Sequence, residues 1–270
     1  MADLNALKRR QQQTWAAGDF SMIATQQLLV GELLCEAVDV HPGQRVLDIA
    51  TGSGNTALAA ARRGGTVTGI DFVPALLERG RERAAAERLT IDFQVGDADA
   101  LGFPDASFDV VLSTFGAMFA PDQERTAREI LRVCRPGGKI GLATWPPDSL
   151  IGEMFRTVAR FVPPPAGATP PVLWGTEDRL RQLFGGAVSS LRATRRRIVF
   201  RHRSVESWLE FNRKFFGPTI KAFETLDPSG QEALSREMMD LMRRGNRSGD
   251  ATLVAPSEYL EVVAVRVSGA

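Results

Sequence analysis

Short apolar runs alternate with longer amphipathic segments over residues 45–144. The runs have the length of strands, and the segments between them have the hydrophobic spacing of helices. An alternation of strand and helix builds a parallel sheet with helices on both faces. The predicted strands are a run that begins at residue 45 and residues 66–71, 91–95, 108–113 and 139–144, and the predicted helices are residues 74–88 and 121–134.

The pattern on either side of this region is different. Before it, residues 4–15 predict a polar helix, Gly18 a break, and residues 21–37 a second helix with Ser21 as its N-cap. After Trp145, prolines frame a short helix. The rest is predicted as a long strand (191–203), a mostly helical stretch (204–244) with a break at Gly217, and a last strand (259–267).

We therefore expect one domain over residues 1–270. Its parts would be N-terminal helices (1–40), a ligand-binding core (41–203), a helical cap insertion (204–250) and a final strand (251–270).

Composition and charge exclude several classes of protein. The net charge of +1 argues against a dedicated nucleic-acid surface, and no run approaches the roughly 18 apolar residues of a membrane span. Only two cysteines occur, both in apolar patterns that predict core packing. We expect a cytoplasmic protein without nucleic-acid or membrane partners. Six arginines between residues 192 and 203 favour a charged strand face that resists aggregation.

The glycine loop, residues 50–54, carries the strongest chemical signal. An apolar run stops at Asp48 and passes into Gly52 and Gly54 just before a helix, whose N-terminal N–H groups favour an anionic ligand group. Gly52-x-Gly54-x-x-Ala57 also satisfies the dinucleotide fingerprint, with Asp71 nineteen positions after Gly52 as a ribose-binding acid. Asp48 instead suits a ligand with an amino group. Both ligand classes fit the loop.

Several segments resemble the ordered motifs of the class I S-adenosylmethionine-dependent methyltransferases. Asp48-x-Ala50-x-Gly52-x-Gly54 is similar to their first motif, although Ala50 stands where glycine is usual, and we expect its φ to be negative. The later motifs are similar to residues 67–71, 96–98, 103–109 and 135–138. The resemblance implies a Rossmann-like α/β fold: a doubly wound, mostly parallel seven-stranded sheet with an antiparallel edge and helical cap insertions.

The resemblance also implies S-adenosylmethionine as cofactor and assigns its contacts. Asp71 would take the ribose hydroxyls, Asp97 and Ala98 the adenine edge, and Phe72 an adenine face. Asp48 and the glycine loop would take the methionine end. The predicted cofactor residues are Asp48, Ala50, Thr51, Gly52, Gly54, Asp71, Phe72, Asp97, Ala98, Thr114 and Phe115.

Aromatic side chains outside the strand and helix alternation suggest a mobile cap over a small-molecule acceptor. The helical spacing of Trp208, Phe211 and Phe215 is equally typical of a packed helix face. The predicted acceptor residues are Trp15, Phe20, Met118, Phe119, Phe211 and Phe215.

We expect an enzyme that transfers a methyl group from S-adenosylmethionine to a small molecule by in-line displacement, resembling the branch of quinone-biosynthesis and natural-product methyltransferases. No catalytic residue and no metal site is assigned. His41 is predicted as a solvated turn residue, and His202 has no recognisable partner, so no general base is assigned and an Asp or Glu stays open for that role. The alternatives are a nicotinamide-dependent oxidoreductase and a non-catalytic S-adenosylmethionine-binding protein.

Overall fold

A single seven-stranded sheet organises the protein, and the computed structural model describes residues 4–165 and 168–268. The strand order is β3-β2-β1-β4-β5-β7-β6, with β7 antiparallel to both of its neighbours and the other neighbouring strands parallel. The strands are β1 (Arg45–Ile49), β2 (Thr66–Asp71), β3 (Ile91–Val95), β4 (Phe108–Thr114), β5 (Cys134–Thr144), β6 (Val188–His202) and β7 (Leu253–Arg266). This confirms the predicted Rossmann-like fold with its antiparallel edge.

Helices cover both faces of the sheet and the rim beyond the ends of its strands. They are α1 (Leu4–Ala16), α2 (Phe20–Ala24), α3 (Leu28–Val38), α4 (Asn55–Arg62), α5 (Pro74–Ala86), α6 (Gln123–Val133), α7 (Leu150–Phe161), α8 (Glu177–Phe184), α9 (Val205–Phe215), α10 (Gly217–Thr225) and α11 (Pro228–Gly245). None of the helices in the described ranges has the length and apolar character that a membrane crossing requires.

The predicted second helix, residues 21–37, is wrong in two respects. It is divided into α2 and α3 by a 3-10 turn, Thr25–Gln27. The N-cap of α2 is Asp19 and not Ser21, because the Asp19 carboxylate accepts a hydrogen bond from the Ser21 backbone N–H. The helix is therefore capped two residues before the predicted position.

The start of β5 also differs from the prediction. The predicted helix 121–134 and strand 139–144 leave Gly137 and Gly138 in the connection between them, but both glycines lie inside β5, which begins at Cys134. The pairing of β5 with β4 shifts register between Phe108 and Val110. Gly137 has φ of 69°, and a Cβ on Gly138 would stand 2.8 Å from the Arg135 carbonyl oxygen. The two glycines therefore let the strand bulge and continue.

Helices α9, α10 and α11 lie between β6 and β7 in the chain and pack into the main core. Trp208, Leu209, Leu234 and Met238 are buried in the same hydrophobic cluster as the central strands. The region between the last two strands is thus continuous with the body of the fold.

The edge strand β6 carries the arginine-rich face predicted from the sequence. Arg195 forms ion pairs with Asp148 and Glu258, both at 2.8 Å, and Arg196 reaches Glu261 at 3.1 Å. Paired charges of this kind discourage edge-to-edge association.

Candidate active site

A first cavity lies beyond the carboxyl ends of the central strands, where parallel α/β sheets bind ligands. It measures about 780 Å³, counted to its open mouth. Most of its residues follow β1, β2, β3 and β4, and helix α1 closes one side. The lining is Lys8, Gln11, Trp15, Phe20, Ala50, Gly52, Ile70, Asp71, Phe72, Leu76, Gly96, Asp97, Ala98, Thr114, Phe115, Gly116, Phe119, Ala120 and Pro121.

Asp71 presents a rigidly held carboxylate to the first cavity. Its Oδ2 accepts a hydrogen bond from Gly52 N–H and its Oδ1 one from Val73 N–H, both at 2.9 Å. Burial raises its pKa to about 6, against the opposing effect of these backbone donors. Each oxygen keeps acceptor capacity for a ligand donor, which fits the hydroxyl groups of a ribose.

Asp48 lies behind the glycine loop and does not line the cavity. Its Oδ2 accepts hydrogen bonds from Thr51 Oγ1 at 2.6 Å and from Ala57 N–H at 3.0 Å, which fixes the loop against the start of α4. Its Oδ1 is buried without a hydrogen-bond partner within residues 4–165 and 168–268. Burial, with a smaller effect of Asp71, raises the pKa of Asp48 to about 7. An unpaired buried carboxylate oxygen fits a nearby ligand ammonium group.

Thr51 and Gly54, also predicted as cofactor residues, contribute to the loop and not to the cavity wall. Thr51 bonds to Asp48, and Gly54 precedes α4 with φ of 85°. A Cβ on Gly54 would lie 3.0 Å from the ring of Phe93. Their role in this geometry is to shape the loop.

Ala50 adopts φ of 53°, so the expected negative φ is wrong. The left-handed conformation costs a residue with a Cβ roughly 1–2 kcal/mol. Gly116 makes room for this side chain, because a Cβ on Gly116 would lie 2.4 Å from Ala50 Cβ. Phe115, beside it, also has a positive φ, 56°. Backbone strain of this kind gathers at functional sites.

Helix α1 is fastened across the cavity by polar contacts and buries none of its own residues. Lys8 Nζ lies 2.6 Å from Asp97 Oδ2 and 3.0 Å from Asp99 Oδ2. Gln11 donates to the Phe119 carbonyl at 2.7 Å, and Gln12 to the Phe72 carbonyl at 2.5 Å.

Sequence reasoning did not identify Lys8 and Gln11 as residues of the site. The signal available for them was the mostly polar composition of residues 4–16, which indicates that polar contacts help to hold this helix.

A second cavity adjoins the first and is almost entirely apolar. It measures about 550 Å³ and shares four aromatic residues with the first: Trp15, Phe20, Phe115 and Phe119. Phe115 stacks on Trp145 with ring centroids 3.9 Å apart. The full lining is Trp15, Phe20, Ile23, Gln26, Gln27, Phe115, Phe119, Trp145, Ile151, Met154, Phe155, Phe200, Trp208, Asn212 and Phe216.

The structure brings only part of the predicted acceptor set together. Trp15, Phe20 and Phe119 line the second cavity, but Met118 is packed in the core. Phe211 and Phe215 line neither of the two cavities.

Phe211 and Phe215 pack against each other on another side of α9, and Phe211 contacts the ring of His202. Trp208 and Asn212, one helical turn apart, occupy the cavity side instead. The aromatic pattern therefore identified the helix and not its inner face.

Both cysteines, Cys35 and Cys134, are free and buried. Burial raises the pKa of the Cys35 thiol to about 12 and that of Cys134 to about 11. Neither thiol is a nucleophile at neutral pH.

The sheet order, the glycine loop and the acid at the end of β2 define the nucleotide-binding site of an α/β enzyme fold. Residues 47–142 match the family described as Methyltransferase domain. The chain belongs to the class I S-adenosylmethionine-dependent methyltransferases. It is an enzyme, and its cofactor is S-adenosylmethionine. The glycine loop fitted both a dinucleotide and a ligand with an amino group, and family membership decides in favour of the second, S-adenosylmethionine.

The chain is similar to several relatives and solved structures. An uncharacterized protein of Mycobacterium tuberculosis is 40% identical over 236 residues, which is 86% of each chain. A demethylmenaquinone methyltransferase of Deinococcus radiodurans is 38% identical over 165 residues, 55% of this chain and 68% of that one. The YcgJ protein from Bacillus subtilis has the same fold, with a TM-score of 0.62, 20% identity, and coverage of 88% of this chain and 97% of that chain.

Proposed function

We propose that the protein methylates a small, neutral, largely apolar molecule held in the second cavity. The observation that carries this proposal is the shared wall between the cavities. A polar rim suited to a nucleoside meets an aromatic chamber across Trp15, Phe20, Phe115 and Phe119. A methyl donor in the first cavity and an acceptor in the second would meet at this wall.

The residues of the first cavity support the assignment of cofactor contacts. Asp71 would bind the ribose hydroxyls through its fixed carboxylate, and Phe72 would cover one face of the adenine. Asp97 and Ala98 would contact the adenine edge. Asp48, through its unpaired Oδ1, would attract the ammonium group of the methionine end.

Bound S-adenosylmethionine supplies an electrophilic methyl group, and its sulfur leaves as a neutral thioether. The protein then has to align the acceptor and exclude water. The aromatic walls of the second cavity do both.

No side chain lining the described part of the second cavity is an acid, a base or a thiol. A charged acceptor would be buried there without a counter-charge, which is costly. We therefore propose a neutral acceptor. The proton that the acceptor loses on methylation would pass to water, because no base lines the described part of the cavity.

The similarity to a protein named demethylmenaquinone methyltransferase supports an acceptor that contains an unsaturated ring. The nine aromatic residues among the fifteen that line the cavity favour the same shape, because flat rings pack against aromatic side chains.

We also propose that the enzyme acts in the cytoplasm, where thiols such as Cys35 and Cys134 stay reduced.

Cofactor binding tests the assignment of the first cavity as the S-adenosylmethionine site. S-adenosylmethionine and S-adenosylhomocysteine should raise the melting temperature, and NAD should not. In calorimetry, Asp71→Ala should weaken S-adenosylhomocysteine binding by roughly 1–3 kcal/mol, because charged hydrogen bonds to the ligand are lost. Asp92→Ala, an exposed acid on β3, is the matched control and should bind as the unaltered protein does. Stabilisation by NAD alone, or full affinity in a folded Asp71→Ala variant, would contradict the assignment.

A further inference from the structure

Three amide side chains interrupt the apolar lining of the second cavity: Gln26, Gln27 and Asn212. An uncharged amide buried among aromatic rings is costly unless its polar atoms find partners. The neighbours of each amide therefore indicate what a ligand in the cavity has to supply.

The orientation of Asn212 is determined by its own helix. Its Nδ2 donates to the Trp208 carbonyl oxygen at 2.9 Å. Since a carbonyl oxygen can only accept, the amide nitrogen must face it and Oδ1 must face away. Oδ1 has no hydrogen-bond partner among the described residues, although the residue is only 8% exposed. Asn212 therefore offers an acceptor to the cavity.

Gln27 is buried to the same degree, with 9% exposure, and its side chain makes no hydrogen bond to the part of the chain that the structure describes. Gln26 is half-buried, and its Oε1 lies 3.2 Å from His202 Nε2. Because Gln26 Oε1 accepts the hydrogen bond from the His202 ring N–H, the amino group of the Gln26 side chain remains available as a donor.

We propose that these amides select an acceptor molecule that bears a hydroxyl or N–H group, with its proton on Asn212 Oδ1 and its complementary polar atom on Gln27. This inference rests on the proposed function and adds the chemical class of the acceptor and the residues that recognise it. A molecule without the donor leaves a buried oxygen unpaired, and sites built around a hydrogen bond reject such analogues strongly.

Three probes of similar size test the proposal: 4-propylphenol, 4-propylanisole and 4-propylbenzoate. The first offers an O–H donor, the second replaces it with a methyl ether, and the third is an anion at neutral pH. Three of the four tryptophans, Trp15, Trp145 and Trp208, line the cavity, so quenching of tryptophan fluorescence reports binding. The titrations are made on the full chain, with and without saturating S-adenosylhomocysteine.

We expect the phenol to bind about tenfold more tightly than the anisole, which corresponds to about 1.4 kcal/mol. The benzoate should not compete. In Asn212→Leu the phenol should bind only as tightly as the anisole, while anisole binding stays unchanged. Gln27→Met should reduce the preference for the phenol in the same direction. Phe211→Leu, on the same helix but outside the cavity, is the control and should keep the full preference.

Equal binding of phenol and anisole by the unaltered protein would overturn the proposal without any variant. Tight binding of the benzoate, or a preference for the phenol that survives in Asn212→Leu, would overturn it as well. The proposed function fails separately, when S-adenosylhomocysteine does not bind in calorimetry. The two failures are therefore distinguishable.

Discussion

Two buried carboxylates, Asp48 and Asp71, lie at the glycine loop, and neither has a cationic partner in the part of the chain that the structure describes. Both are held by hydrogen bonds from the chain, yet burial raises the pKa of both, to about 7 and about 6. The folded protein without ligand therefore binds protons that the unfolded chain has already released at the same pH. The free energy of unfolding should reflect this difference.

For Asp48 the ordinary pKa is 3.8 and the pKa in the folded protein is about 7. Its contribution to stability is full below pH 4 and is lost as the pH rises through 7, at on the order of 1 kcal/mol per pH unit. Asp71 acts in the same direction up to its pKa of about 6. Without cofactor, the free energy of unfolding in urea should therefore be higher at pH 5 than at pH 8.

Asp48→Asn should remove most of this slope, because its side chain does not ionise. Asp92→Asn, on the exposed face of β3, should keep it. The free energy of unfolding is plotted against pH for Asp48→Asn and for the unaltered protein. If the two curves are parallel, the Asp48 carboxyl does not cause the loss of stability at higher pH.

At this scale the sequence located two acids of the first cavity but not the backbone conformation. Asp71 and Asp97 were named from the motifs that resemble the family, and both line the cavity; their contacts with the cofactor stay predictions. The positive φ of Ala50 escaped prediction, because it depends on the space that Gly116, far along the chain, leaves beside it. Asn212 escaped as well, since a single amide among aromatic residues carries no motif.

At the scale of elements, α1 has an unusual attachment. It buries no residue, and besides its polar contacts it meets the region between α9 and α10 at two glycines. A Cβ on Gly18 would stand 2.2 Å from the Phe215 carbonyl oxygen, and one on Gly217 would stand 2.0 Å from the Thr14 carbonyl oxygen. The two backbones touch, and no other residue type fits between them.

Gly217→Ala should therefore push α1 away from α10 and weaken S-adenosylhomocysteine binding, because Lys8, Gln11 and Trp15 all line the first cavity from α1. The melting temperature without ligand should fall by only a few degrees, since α1 contributes no buried side chain. Gly102→Ala, where nothing lies within 4 Å of an added Cβ, is the control. Unchanged affinity in Gly217→Ala, measured by calorimetry, would contradict this account of the contact.

The sequence predicted the elements of the central sheet closely because their period and their turn residues agree. Strands β2 and β3 have the predicted bounds, residues 66–71 and 91–95. The bulge at the start of β5 was missed because glycine pairs end helices and interrupt strands alike. Only the pairing partner, β4, decides between the two.

At the scale of the whole molecule, the expected cap divides into a firm part and a loosely held part. Trp208 and Leu209 of α9 are buried in the main core, so α9 should not open as a lid. Helix α1 is held by polar side chains at the cavity mouth and by the partly buried ring of Trp15. Such a segment opens more readily than the sheet.

Hydrogen exchange should distinguish these parts. Without ligand, the amides of α1 should exchange at least tenfold faster than those of β1, β4 and α9. S-adenosylhomocysteine should slow exchange in α1 and leave the central strands unchanged. If the amides of α1 are as protected from exchange as those of β4 without ligand, or if their exchange does not respond to the ligand, α1 does not open to admit ligands to the cavities.

The two cavities draw on different stretches of the chain. Among the described residues, all of the first cavity beyond α1 and Phe20 fall within the segment 47–142 that matches the family, whereas Phe115 and Phe119 alone of the second cavity do. The remaining thirteen residues of the second cavity come from segments on either side of it. Substitutions at those of the thirteen that line only the second cavity can remodel acceptor choice while the cofactor site stays intact. Selection can therefore act on the two binding partners separately, so enzymes of this architecture can acquire new substrates without having to reinvent the methyl donor site.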